Sequence, residues 1–175
     1  VDSKEIAEKL LMADGTKGLS TFLGGYVLRV ISKAGYTTEA IKIMKEYWGA
    51  MLDLGATTFW EDFDMDWVTD KTVGIDRLVP ENMTDVHGDF GKYCYKKFRH
   101  SMCHGWASGP TSFLSQEASG IEILEPGCKK IAVRPRNTGF KYMKMVYPTP
   151  CGLVEIEQEN GKTKICVPDG VELSE

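Results

Sequence analysis

Apolar residues recur every three to four positions in the first third of this chain and every second position in its last third. No single regular layer accommodates both periods, so the chain reads as helices followed by sheet. Near the start, Asp2 and Ser3 can cap a short helix through Met12, with Glu5 at the capping-box position. Leu23, Tyr26, Val27, Val30, Ile31 and Ala34 then form an i, i+3, i+4, i+7 stripe, which predicts a helix with that stripe buried and Gly35 as its stop. Thr37 or Thr38 can cap the next helix. Its stripe is Ile41, Met44, Tyr47 or Trp48, Met51 and Leu52, and Gly55 ends it. Two such helices joined by a short loop make an αα-hairpin. Residues 61–90 have no period, many Asp and one Pro, and read as a long loop. A helix is expected over much of 91–101, and another from Pro110 to Ser119. After Glu125-Pro126-Gly127 the alternation starts. Strands are expected at 130–134, 143–147, 153–159 and 162–167, with Asn160-Gly161 as a tight hairpin turn. The expected fold class is therefore α+β, with helical hairpins over 1–125 and an antiparallel β unit of about four strands over 126–175.

Composition narrows the function classes. The 175 residues are 42% hydrophobic and 26% charged, with a net charge of -4. A mildly acidic chain without a Lys/Arg block gives no electrostatic reason to expect nucleic acid or an anionic membrane. No apolar run approaches the roughly 20 residues that span a bilayer. The N-terminus is polar and lacks an initiating Met, so no signal peptide is read, and the chain reads as a fragment or a processed product. Five cysteines, an odd number without a C-x-x-C pair, predict reduced thiols rather than a disulfide framework or a zinc site.

Three clusters carry chemistry. The densest is Phe59-Trp60-Glu61-Asp62-Phe63-Asp64-Met65-Asp66-Trp67. Aromatic faces cover the C–H patches of a sugar and carboxylates bind hydroxyls or move protons, so the run suits a carbohydrate site, or equally a solvated acidic loop anchored by buried Trp. Asp62, Asp64 and Asp66 match three ligand positions of a calcium loop, but its Gly position is Trp67 and its Glu position is Val73. In His100-Ser-Met-Cys-His104-Gly-Trp106 the two histidines stand i, i+4 and could share a helical face for a metal. A helix-terminal His beside a packed Trp is the simpler account, and no metal or other cofactor is expected. His87 reads as exposed. Lys129, Lys130, Arg134 and Arg136 read as strand-edge charges.

Four stretches together resemble the bacterial α-L-rhamnosidases of glycoside hydrolase family 78. They are Thr21-Phe22-Leu23-Gly24; Tyr47–Asp53 continuing into Gly55-Ala56-Thr57-Thr58-Phe59-Trp60-Glu61; His104–Pro110 with Phe113-Leu114-Ser115; and Leu124–Gly127 leading into Ile131–Pro135. The resemblance implies the last hairpins of an (α/α)6 barrel followed by a C-terminal β-sandwich. It implies a fragment of an inverting hydrolase that releases terminal α-L-rhamnose from oligosaccharides or glycosides. By the same resemblance Glu61 is the general base, His104 contacts the sugar, and Trp60 and Trp106 are walls of the site. The family's general acid lies upstream, in the earlier half of the barrel, so the fragment is expected to be inactive alone. Glu61 and His104 stand 43 positions apart, more than the resemblance leads one to expect, which points to an insertion that reshapes the pocket. An open part-barrel would expose apolar helix faces and favour self-association. A soluble bacterial protein is implied, cytoplasmic or periplasmic. The rival readings are a non-catalytic carbohydrate-binding or structural module, and a six-hairpin glycosidase for another sugar. Glu61 separates catalyst from module: it faces a concave, Trp-lined surface near His104 in the first, and pairs with Lys or Arg, or sits in a mobile loop, in the second.

Overall fold

The computed structural model describes residues 2–90 and 100–174. The chain is α+β and divides into two compact units, residues 1–110 and 111–175.

In the first unit, Asp2 caps a helix (α1, Ser3–Ile6) by accepting the Lys4 N–H, and a π-helical turn over Ala7–Leu11 prolongs it. Glu5 pairs with Lys9 at 2.8 Å. Ser20 caps the second helix (α2, Thr21–Lys33) through the Leu23 N–H, and a short turn at Gly35 leads into the third (α3, Thr37–Asp53). The turn is stapled by a buried bond between the Ser32 and Thr37 hydroxyls, 2.8 Å apart. The pair is the expected αα-hairpin, and Ile41, Met44, Tyr47, Trp48 and Met51 of α3 are buried as expected. Leu52 is exposed.

The buried face of α2 matches the expected one at Ile31 and Ala34 and differs from it nearer the start of the helix. Thr21, Gly24, Gly25, Leu28, Ile31 and Ser32 point inward. Leu23, Tyr26 and Val30 point outward, at 59%, 57% and 46% exposure. Close approach decides the matter. A β-carbon on Gly24 would lie 2.7 Å from the Trp48 ring, so α2 and α3 can cross this tightly only where α2 is nearly side-chain-free.

Residues 61–90 are largely irregular, as read. A 3₁₀ turn at Met65–Trp67 and a two-residue parallel bridge (β1, Thr72–Val73, with β2, Thr84–Asp85) are their regular elements among the described residues. An aromatic core seats this segment. Phe63 packs edge-on against Tyr47, Trp60 and Trp67, and the Tyr47 hydroxyl donates to the Phe63 carbonyl at 2.5 Å. Burial of Tyr47, with Asp62 and Asp64 nearby, raises its phenol pKa and keeps it a neutral donor. Positions 91–99 of the expected 91–101 helix lie outside the described residues, and His100 and Ser101 are not helical. A helix does start near Pro110 (α4, Gly109–Ser112) and continues as a π-helical stretch over Phe113–Ala118.

Among the described residues the second unit holds six strands in two three-stranded sheets. One contains β3 (Ile121–Ile123), antiparallel to β4 (Lys130–Val133), which pairs in parallel with β8 (Glu172–Ser174). The other is an antiparallel meander of β5 (Tyr142–Thr149), β6 (Gly152–Glu159) and β7 (Lys162–Cys166). Asn160 and Gly161 turn β6 into β7 with φ of 49° and 77°, as a primed hairpin turn requires. Ile121, Cys128, Ile131, Val154, Ile156 and Val171 form the core. Four strands in one antiparallel unit is thus an undercount. β3 precedes the change of period at 126 and pairs across it, and β8 joins in parallel, where hydrophobic alternation in a three-residue strand carries no signal. Lys130 pairs with Glu172 at 2.6 Å and Arg134 with Glu122, cross-strand bonds of exposed groups.

Among the described residues no helix is long and apolar enough to cross a membrane. Cys103, Cys128, Cys151 and Cys166 are free thiols, and Cys94 lies outside the described residues.

Candidate functional site

Glu61 follows the helical hairpin at a bend in the chain, where residues 58–61 hydrogen-bond with 101–104. The His104 N–H donates to the Phe59 carbonyl at 2.8 Å, the Glu61 N–H donates to the Ser101 carbonyl at 2.8 Å, and Thr58 donates its hydroxyl to the Met102 carbonyl. Trp60 goes into the core and Glu61, at a bend, comes out half-buried, while Asp62 and Phe63 after it are both buried.

One backbone N–H holds the carboxylate, and one hydroxyl holds the backbone behind it. The Ser101 N–H donates to Glu61 Oε2 at 2.8 Å, and the Thr21 hydroxyl at the start of α2 donates to the Glu61 carbonyl at 2.5 Å. His104 Nδ1 lies 3.9 Å from the same Oε2, beyond hydrogen-bond range, with both side chains about one-third exposed (31% and 32%). The His104 ring meets Trp106 edge-on at 4.8 Å, and Trp106 stacks on Phe22 at 4.9 Å and 27°. Ser20, Thr21, Phe22, Leu23, Glu61, Asp62 and Trp106 line a cavity of about 390 Å³. That lies within the usual range for small-ligand sites, about 300–1,000 Å³.

The segment bearing His104 and Trp106 meets α2 backbone to backbone as well as through the Phe22–Trp106 stack. A β-carbon on Gly25 would stand 2.9 Å from Gly109 Cα, and one on Gly109 would stand 2.6 Å from Gly25 Cα. Those spacings exclude any side chain at either position without displacement. The resulting approach sets the distance between the Phe22 and Trp106 rings.

Of the residues read from sequence, Glu61, His104 and Trp106 come together. Trp60 does not reach the cavity: it is fully buried beneath it, packed on Phe63 and edge-on to His100. His100 and His104 share no helical face, because the chain between them is not helical: His100 is buried and His104 half-exposed. Among the described residues no group of three or more His, Cys, Asp or Glu could hold a metal ion. His87, read as exposed, is half-buried and meets the His100 ring edge-on at 5.2 Å, because the Asp85 turn folds it inward. Burial, and next the neighbouring His87, lower the pKa of His100, which favours a neutral ring. Asp62 belongs to the acidic-aromatic run read from sequence, whereas Ser101 was not foreseen as a site residue. Ser101 acts through its amide, which leaves no mark in a side-chain pattern.

No family model matches the sequence, and no curated protein matches it. The structure does match solved ones. The α-L-rhamnosidase from Dictyoglumus thermophilum aligns with 97% of this chain at 24% identity and a TM-score of 0.67. The α-L-rhamnosidase of Streptomyces avermitilis, in a crystal structure complexed with L-rhamnose, aligns with 97% at 18% identity and 0.65. The GH78 family rhamnosidase of Bacillus sp. GL1 aligns with 88% at 22% identity and 0.58. The motif resemblance to family 78 α-L-rhamnosidases thus has a counterpart in fold. The chain spans 16–17% of the length of these proteins.

Proposed function

We propose that this chain carries the general-base half of an inverting glycoside hydrolase that releases terminal α-L-rhamnose. Its fold relatives are glycoside hydrolases, which supports a hydrolase parent. In this reading residues 1–125 are the last hairpins of an (α/α)6 catalytic domain, and 126–175 belong to a β-sandwich.

One observation carries the assignment. Glu61 is a half-exposed carboxylate, held by a backbone N–H, that opens onto a cavity shared with Trp106 and lies 3.9 Å from His104. That is the environment expected of a catalyst, and it disfavours a structural or purely binding module. With Oε2 held by Ser101, Oε1 takes the proton as water attacks the anomeric carbon. The glycosidic C–O bond breaks on the opposite face, where a second carboxyl group, about 6.5–9.5 Å away, protonates the leaving oxygen. That acid is expected outside this chain. His104 and Trp106 hold the sugar, and Trp60 supports the base from below.

The test uses an aryl α-L-rhamnoside. The purified chain is expected to leave it intact, because general-acid catalysis contributes roughly 10²–10⁴-fold and its donor is missing. In the parent enzyme, Glu61→Gln abolishes turnover, and added azide restores it by giving an inverted glycosyl azide. Turnover by the chain alone, or full activity of Glu61→Gln in the parent, would overturn the assignment.

A further inference from the structure

Glu61 stands at a bend outside the strands, so its backbone is not fixed by a sheet. Its two flanking peptide groups are held by different parts of the chain instead. On one side its N–H donates to the Ser101 carbonyl at 2.8 Å. On the other its carbonyl accepts the Thr21 hydroxyl at 2.5 Å, from 40 positions away. Peptide groups are planar, so holding the one before and the one after Cα fixes φ and ψ. The direction in which the side chain leaves the backbone is then fixed as well.

Thr21 is spared for this task. It is the first residue of α2 and is 2% exposed, yet the helix does not need its hydroxyl, because Ser20 caps α2 by accepting the Leu23 N–H at 3.1 Å. The next residue, Phe22, stacks on Trp106. Two consecutive residues at the start of α2 thus engage the two segments that bear Glu61 and Trp106.

We infer that Thr21 is a positioning residue for Glu61, whose hydroxyl sets where the carboxylate stands by holding the carbonyl behind it. This rests on the reading of Glu61 as the base. The Thr21 hydroxyl is spent on that carbonyl and moves no proton in the reaction. Without it the chain is free to turn about ψ of Glu61, and a catalytic geometry wrong by about 1 Å can cost 10²-fold in rate.

The test uses the parent enzyme and an aryl α-L-rhamnoside. Thr21→Val removes the hydroxyl at nearly constant shape. It is expected to lower kcat by about 10-fold with KM held, between the weight of one hydrogen bond and that of such a displacement. Thr21→Ser keeps the hydroxyl and is expected to recover most of the loss. The decisive readout is azidolysis by Glu61→Gln, in which azide attacks without a base. Adding Thr21→Val to Glu61→Gln is expected to leave that rate unchanged, because the group that Thr21 positions is gone. An equal loss in azidolysis makes Thr21 part of the general fold or of the sugar contact and overturns the assignment. So does a rise in KM at unchanged kcat, or a Thr21→Val enzyme as fast as the wild type. Thr21→Ala, read in the same way, replaces Thr21→Val if the latter does not fold. Full hydrolysis by Glu61→Gln overturns the base reading and the role of Thr21 with it. A loss in Glu61→Gln with none in Thr21→Val overturns the role of Thr21 alone.

Discussion

Glu61 and Ser101 bond to each other twice: the Glu61 N–H donates to the Ser101 carbonyl at 2.8 Å, and the Ser101 N–H donates to Glu61 Oε2 at 2.8 Å. The second bond depends on the amide of Ser101 and not on its hydroxyl. Ser101→Pro removes the donor and is expected to lower kcat of the parent enzyme by roughly 10-fold or more, the weight of one charge-assisted hydrogen bond. Ser101→Ala keeps the amide and is expected to stay close to the wild type. Steady-state kinetics on an aryl α-L-rhamnoside separate them, and equal losses in both variants would sink the claim.

The Gly25–Gly109 approach makes a second prediction. Gly25→Ala puts a β-carbon 2.9 Å from the Gly109 Cα, and backbone cannot step aside as a side chain can. A loss of about 1–3 kcal/mol is expected, the usual cost of overpacking, read from urea unfolding. Gly49→Ala, on α3 with open space around its β-position, is the control and is expected to be neutral or stabilising.

Folding stability should depend on pH through His100. Its pKa is lowered in the fold, first by burial and then by His87, against the pull of Asp62 and Glu61. The unfolded chain therefore takes up the proton first as pH falls. The contribution of His100 is complete above its unfolded value, about 6.5, and is lost as pH drops below it towards the lower folded value. Melting temperatures between pH 8 and pH 5 should fall over that window, and His100→Gln should flatten this part of the profile. An identical profile in the variant would refute the assignment.

The outward stripe of α2 makes the last prediction. Leu23, Tyr26 and Val30 form an exposed apolar face on one helix. Sedimentation velocity on the isolated chain is expected to show concentration-dependent association. Tyr26→Lys with Val30→Lys should return it to the monomer. A monomer at every concentration in the parent sequence would count against it.

Much of this architecture is legible in sequence, for reasons particular to each element. Helix ends are partly written in local chemistry: Asp2 caps and Gly35 and Gly55 stop, but Ser20 caps α2 unread, and α3, expected to be capped by Thr37 or Thr38, starts after Tyr36 with no side-chain cap. Asn160-Gly161 writes its own turn. The face of α2 misleads because apolar periodicity says which residues align, not which side is needed for close approach. There Gly24 and Gly25 outweigh Leu23 and Tyr26. β8 is too short to have a period, and its parallel partner is remote in sequence. At the site, neither the exposure of Glu61 nor its company follows from a period: Ser101 and His104 stand beyond a long segment without one, and the motif resemblance links His104 alone to Glu61 in advance. The i, i+4 spacing of His100 and His104 misleads because spacing implies a shared face only on a helix.

The bonds joining Phe59 to His104 and Glu61 to Ser101 close the chain on itself before residue 62 and after residue 100. Whatever lies between is tied off at its neck. Doubling the length of a tied loop costs only about 0.6 kcal/mol in closure entropy. Changes of length are therefore tolerable where the tied stretch is exposed, at residues 77–82, while Phe63, packed on Tyr47, Trp60 and Trp67, stays in place and the carboxylate and its imidazole neighbour keep their separation.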